Sequence, residues 1–320
     1  MKNINIIYSI LFALLKLSST LLLLFLIYLY MPIDTTQTVI LPKGSITKTI
    51  NALNAQGYNL NKLDAYIIDY LLDKPKSGTL MIGEKSMSRI KFLQKLSSAK
   101  EAIDIITLIP GETRPIFLAQ LSKKYNLDID KLEEEYNRST PYQDAGIIPD
   151  TYHISKNSSE EKIIKTLIKH SEKRYRKMAI EKYHKYDTKE WLRVLTIASI
   201  IQKESANRQE MTTIASVIYN RLQKDMPLQM DGTLNYGKYS HTKVTPKRIK
   251  EDKSKFNTYK HKGLPPYPIC SVSIDAIKAT LNPKETDYIY FMRNKNGVHD
   301  FTNSYQEHLK NIQKVKESHN

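Results

Sequence analysis

The chain has one cysteine, Cys270, among its 320 residues. That excludes an intramolecular disulfide, a cysteine-based zinc cluster and a dithiol redox pair. Beside Pro268 and Ile269 the lone thiol reads as a small buried hydrophobe rather than a nucleophile. The eight histidines contain no HExxH spacing, which argues against a zinc metalloprotease. Absent too are a Gly-rich phosphate loop, a GxSxG elbow and any nucleic-acid module signature. No metal, no cofactor and no nucleic-acid partner is expected. Acidic residues are also in deficit: 33 Asp and Glu stand against 49 Lys and Arg, a formal net charge of +16. Such a surface favours polyanions, anionic lipid or an acidic wall polymer. The chain is equally rich in Asn, Ile and Tyr, as an A/T-biased genome would make it, so charge alone names no partner.

Long apolar runs are confined to one end. Residues 4–31 are almost continuously apolar, densest in LLLLFLIYLYM. Crossing the hydrocarbon takes ~20 apolar residues, and residues 10–31 supply them. Lys16 can snorkel to the near interface, and Tyr28 and Tyr30 suit the far one. No A-x-A cleavage pattern follows, which favours an uncleaved anchor. Lys2 and Lys16 precede the dense segment and the next lysine is Lys43. By the positive-inside rule residues 1–9 stay cytoplasmic and the rest is exported, a single-pass protein with almost all of its mass outside the cytoplasm.

The exported part is expected to be α+β. Two stretches share one plan of strand, Pro/Gly turn and helix ending in Tyr-Asn-Leu: residues 38–60 and residues 103–127. Between them lie helices near 61–72 and 87–97 and a short strand at 79–83, giving a small module over residues 32–100. Residues 101–320 form a larger mixed α/β domain with a helical core. There a polar stretch at 133–143 precedes GIIPDTYHI (146–154), a long charged helix (159–184) and two apolar-striped helices. After Met226 the chain turns rich in Gly, Pro, Asn, Asp and Tyr, predicting loops and short strands with polar tips.

In the first apolar-striped helix, Ile197, Ile200, Ile201 and Glu204 share one face. Two readings of Glu204 stand at this point. The helix ends there and the carboxylate reaches water, the commoner fate of an acid. Otherwise it is buried without a paired charge, its pKa rises, and it can serve as a general acid.

Seven motifs occur in fixed order: GIIPDTY (146–152), IASIIQKES (197–205), VIYNRL (217–222), PLQMDGTLNYG (227–237), FNTYKHKGLPPYPI (256–269), SIDAIKATLNP (273–283) and YIYFMRNKNGVHDFTNSYQEH (288–308). In them the chain resembles the endolytic murein transglycosylases, the YceG-like family. The resemblance implies a LysM-like glycan-binding module over residues 32–100. It also implies non-hydrolytic cleavage of the MurNAc–GlcNAc linkage of peptidoglycan glycan strands, leaving an anhydro ring, with Glu204 as the catalytic acid. It further implies termination of strand growth beside a peptidoglycan synthase at the inner membrane.

Around Glu204 the candidates for holding sugar are Gln229, Asp231, Asn257, Thr258, Tyr259, His299 and Thr302. Each has a plainer alternative: an Asx turn for Asp231 beside Gly232, loop backbone bonding for Asn257 and Thr258, a structural histidine for His299 in the HxFT pattern. Asp150 and Tyr152 read as closing a turn. Residues 263–266, Gly-Leu-Pro-Pro, read as a rigid cleft wall. The chain departs from the family pattern at Gln202, where a first Glu is common, at Gly232, a usual Pro, and at Tyr267, a usual small residue. A non-catalytic wall-binding scaffold and a two-carboxylate hydrolase using Asp231 or Asp150 remain open alternatives.

Overall fold

The computed structural model describes residues 2–156 and 158–317, with side chains from residue 6 onward. The chain forms two compact units, Met1–Asp104 with His153–Asn157, and Ile105–Tyr152 with Ser158–Asn320.

The first unit begins with α1 (Lys2–Tyr30), which no Pro or Gly interrupts before Pro32. Within it Ile6–Tyr30 has the length and apolarity of a membrane span. β1 (Pro32–Asp34) and β2 (Thr38–Leu41) follow, then α2 (Ile46–Ala55), α3 (Lys62–Leu71), β3 (Gly78–Met81), β4 (Ser86–Ser88) and α4 (Arg89–Ser98). β1 pairs antiparallel with β4, and β2 with β3. Side chains at their entrances start both middle helices: Ser45 accepts from the Lys48 amide, and Asn61 and Asp64 form a reciprocal capping box. Val39, Leu53, Ile68, Leu80, Phe92, Leu93 and Leu96 close the core without exposure. The strand–helix–helix–strand order is the one the sequence predicts.

The chain crosses to the second unit along β5 (Ile103–Thr107) and returns along β6 (Thr151–Ser155). The second unit holds α5 (Arg114–Tyr125), α6 (Ile129–Ser139), α7 (Glu160–Tyr183), α8 (Thr188–Glu204), α9 (Met211–Gln223) and α10 (Pro246–Glu251). After these come α11 (Ile274–Leu281), β7 (Tyr290–Arg293), β8 (His299–Thr302) and α12 (Tyr305–Glu317). β7 and β8 form an antiparallel hairpin. The unit is thus mainly helical, with two-stranded pairing rather than a layered sheet.

Two helices go beyond the elements named from the sequence, and the second corrects an expectation. The polar stretch is largely helix: α6 buries Leu132, Glu135 and Tyr136 on one face, and Asp128 caps its start. Spacing and cap outweigh polar composition. The segment after Met226 is not only loops and strands, because α11 buries Ala276, Ile277, Ala279, Thr280 and Leu281. A helix that short stands on packing, here against α8 and α9, rather than on intrinsic propensity.

α8 is the centre of the unit. Every residue from Val194 to Ile201 is buried, so this stretch is enclosed all round rather than along one stripe. Its hydroxyls are satisfied internally: Thr196 donates to the Leu192 carbonyl and Ser199 to that of Thr196. Ser199 Oγ in turn accepts the Ile269 amide at 3.0 Å.

Candidate active site

The site is built at the C-terminal end of α8. The helix stops at Glu204, and Ser205 caps it by donating its amide and hydroxyl to the Ile201 carbonyl. Glu204 does not swing into water. The loop 227–232 lies against it, and the Gly232 amide donates to Glu204 Oε1 at 2.6 Å. The residue is half-buried, and burial pushes its carboxyl up to about 7. The Gly232 amide opposes that rise and the neighbouring Asp231 charge adds to it.

Gly232 is required by closeness rather than by an unusual backbone angle. A Cβ there would sit 2.6 Å from Lys203 Cβ and 2.8 Å from Glu204 Oε1. The loop that brings it in is held by Arg221, which lies in the VIYNRL motif but was not among the candidate residues. Its buried guanidinium donates to the carbonyls of Leu228 (2.6 Å), Pro227 (3.1 Å) and Ile289 (2.6 Å). A buried arginine inside an apolar helical stripe was the signal that could have found it. On the other flank Lys203 turns away to Ser240, with Nζ 3.0 Å from Oγ. Gln202 accepts the Ser273 amide at the start of α11, well away from Glu204.

Of the other candidates, the structure brings Asp231 and Tyr259 to Glu204. The Tyr259 hydroxyl donates to Asp231 Oδ1 at 2.8 Å. Burial first, then the Asp231 bond and the Glu204 charge, raise the Tyr259 pKa. Gln229 stands exposed two residues before Asp231, its φ of +51° turning the loop and its amide bonded to the Thr258 carbonyl.

Asn257 and Thr258 are buried and serve the loop, not an open cleft. Asn257 Nδ2 donates to the carbonyls of Ile249 and Asp252, both at 2.8 Å, and its Oδ1 accepts the Tyr259 amide. Thr258 Oγ1 accepts the Met230 amide and meets Thr233 Oγ1 at 3.0 Å. His299 bonds Glu210 through both its ring Nδ1 (2.9 Å) and its amide (2.7 Å). Thr302 donates to Glu307 at 2.7 Å, closing the start of α12. These four residues were expected to line the sugar. In the fold they bond loop backbone and neighbouring carboxylates, as buried polar groups must find partners. Tyr152 closes its own turn by donating to the Ile148 carbonyl, whereas Asp150 pairs with His170 and Arg174 of α7.

A half-buried carboxyl bonded by a loop amide at the end of α8 and flanked by a tyrosine–aspartate pair is thus the candidate site of this helical unit. The YceG-like family model matches residues 39–314. The chain belongs to that family. It is 34% identical over 227 residues to the endolytic murein transglycosylase of Bacillus subtilis, covering 68% of this chain and 59% of that protein. It is 29% identical over 222 residues to the protein of the same name from Streptococcus pneumoniae serotype 2, covering 67% and 39%. The chain therefore spans about three fifths or less of these curated relatives. The crystal structure of a yceG-like protein from Listeria monocytogenes superimposes with a TM-score of 0.56 at 26% identity, covering 87% of this chain and 99% of that one.

Proposed function

We propose that the protein is a membrane-anchored lytic transglycosylase that cleaves MurNAc–GlcNAc linkages within peptidoglycan glycan strands, with Glu204 as its single acid and base. The carrying observation is the Glu204 carboxyl, raised to about 7 yet fixed by the Gly232 amide. A group with that pKa is substantially protonated near neutrality and can also accept a proton back. Since Oε1 is engaged by Gly232, Oε2 is the oxygen left to carry the working proton. Glu204 gives that proton to the glycosidic oxygen as the C1–O bond breaks. The MurNAc C6 hydroxyl then bonds to C1, and its proton passes to the ionised Glu204. The products are an anhydro-MurNAc end and a free GlcNAc hydroxyl, and the acid is regenerated without water. Ordinary glycosidases instead require a second carboxylate.

The curated relatives' name supports this substrate class. The apolar span in α1 supports anchoring, and the strand–helix–helix–strand order of the first unit supports a LysM-like, glycan-binding module. On this reading the enzyme ends strand elongation beside a peptidoglycan synthase. Asp231 beside Glu204 favours the competing two-carboxylate hydrolase.

Digesting peptidoglycan with the full chain and resolving the fragments by mass spectrometry separates the readings. Anhydro ends without label from heavy water are expected, and Glu204→Gln should lower their release ~10²–10⁴-fold. Reducing, labelled ends would establish the hydrolase instead. Release by Glu204→Gln equal to wild type would remove Glu204 from the chemistry.

A further inference from the structure

We propose that the exposed Leu63–Tyr66–Tyr70 stripe of α3 lies on the lipid surface around α1, so that the first unit is seated on the bilayer rather than suspended above it. The proposal rests on the reading of α1 as the membrane anchor. The apolar span Ile6–Tyr30 has 25 residues. At ~1.5 Å each it is about 37 Å long, against a hydrocarbon thickness of ~30 Å. The excess of about 7 Å is a little over one turn, and the packing of Phe25, Tyr28 and Leu29 against the folded unit assigns it to the Tyr30 end, at the level of the headgroups.

That end is where α1 enters the core of the first unit. Phe25, Tyr28 and Leu29 pack against it, and the Arg89 amide bonds the Met31 carbonyl at 2.9 Å. The start of α3 is tied to the same level. Arg89 Nη1 bonds both Tyr28 Oη (3.1 Å) and Asp64 Oδ2 (2.7 Å), and Nη2 bonds the Asn59 carbonyl (3.0 Å). There is no flexible linker to lift the unit clear of the surface.

Leu63, Tyr66 and Tyr70, three and seven residues apart, share one face of α3, while Asp64, Ile67 and Ile68 face the core. Leu63 is 40% exposed, Tyr66 59% and Tyr70 77%, and the two tyrosine rings stack 6.1 Å apart. Leu71 at the helix end, with Ile27, Tyr30 and Met31 of the α1 exit, extends the exposed apolar surface of the unit. Tyrosine, with an apolar ring and a polar tip, is suited to the boundary between acyl chain and headgroup. Two carboxylates adjoin the stripe: Asp69, within it, pairs with Lys74 at 3.2 Å, which lowers its repulsion from anionic lipid, and Asp73 lies exposed just beyond it.

The test uses full-length chain reconstituted in phosphatidylglycerol–phosphatidylethanolamine vesicles with and without brominated lipid. The single native tryptophan, Trp191, is buried and supplies the background, so Tyr70→Trp and Tyr66→Trp report the stripe. Blue-shifted emission and about twofold stronger quenching than wild type, greatest for bromine near the headgroup, are expected. Flotation with the vesicles but quenching equal to wild type in both variants would overturn the seating while leaving the anchor intact. Failure of the wild-type chain to float after alkaline washing would remove the anchor reading, and the seating with it. Emission shifted by soluble glycan strands but not by brominated lipid would make the stripe a sugar platform and overturn the lipid assignment.

Discussion

At Gly232 a methyl group would have to displace either Lys203 Cβ, 2.6 Å away, or the Glu204 carboxyl at 2.8 Å. Lys203 Cβ belongs to the last turn of α8 and yields little, so the carboxyl moves. Gly232→Ala is therefore expected to cut kcat at least tenfold while costing only ~1–3 kcal/mol of stability, the usual range for overpacking. Steady-state kinetics beside thermal melts would show that split. Glu204 also carries a stability cost of its own. Its pKa is about 7 folded against 4.5 for the unperturbed acid. Between those values the unfolded chain sheds a proton that the folded chain keeps, so stability falls as pH rises through the window. Glu204→Gln should therefore melt higher than wild type at pH 8, with the gap vanishing below pH 4.5. Activity should decline as pH rises above about 7, because the proton is then lost from the acid. Melts and rates across pH would test both directions.

The elements show how a helix end becomes a rigid site. α8 is buried from Val194 to Ile201, so its terminus is fixed in space, while the following segment, 205–210, is a short turn ending in a single 3-10 turn at Arg208–Glu210. That turn is latched to the β7–β8 hairpin by Glu210, which holds both the ring and the amide of His299. Burial alone would raise the Glu210 pKa, but the His299 hydrogen bonds outweigh it and lower it overall. His299 thus positions the segment after Glu204 without touching Glu204. His299→Ala is expected to increase hydrogen exchange across 205–211 and lower kcat severalfold with KM nearly unchanged. A variant equal to wild type in exchange would show the latch to be idle. Arg221 works from the other side, and Arg221→Met would strand the buried Leu228 carbonyl at ~1–3 kcal/mol and release the part-buried carbonyls of Pro227 and Ile289. Its melting temperature should fall sharply.

On the scale of the whole molecule, each unit carries its own core, and the first is keyed by one buried ion pair. Arg89 and Asp64 meet at 2.7 Å with side-chain exposures of 8% and 0%. Removing one partner leaves the other charged and buried, at a cost of ~3–5 kcal/mol. Arg89→Leu should accordingly expose residues 32–104 to hydrogen exchange while the α8–α9–α11 core stays protected. The net charge of +16 is spread over long, exposed lysines, many along α7. Binding of the protein to anionic wall material should weaken steadily as salt rises and the Debye length falls from ~10 Å at 0.1 M to ~3 Å at 1 M. Sedimentation with peptidoglycan over that range measures it.

The membrane-length helix, the strand–helix–helix–strand unit, the apolar helices and Glu204 itself could all be read from the chain. Each rests on periodicity, caps and composition, which are local properties. α6 and α11 were missed because burial against neighbours, not local composition, makes them helices. The same limit governs the site. Helical spacing placed Glu204 on an apolar face but left open whether it reached water. Only folding brought Gly232, twenty-eight positions later, to close over it with an amide that has no side chain to betray its role. Asn257, Thr258, His299 and Thr302 have the chemistry of sugar ligands in sequence, and only the tertiary structure showed their bonds to loop backbone and to Glu210 and Glu307. Residue type determined which groups could bind or ionise; burial and partners, which depend on residues far apart in the chain, decided which of them remain free to act.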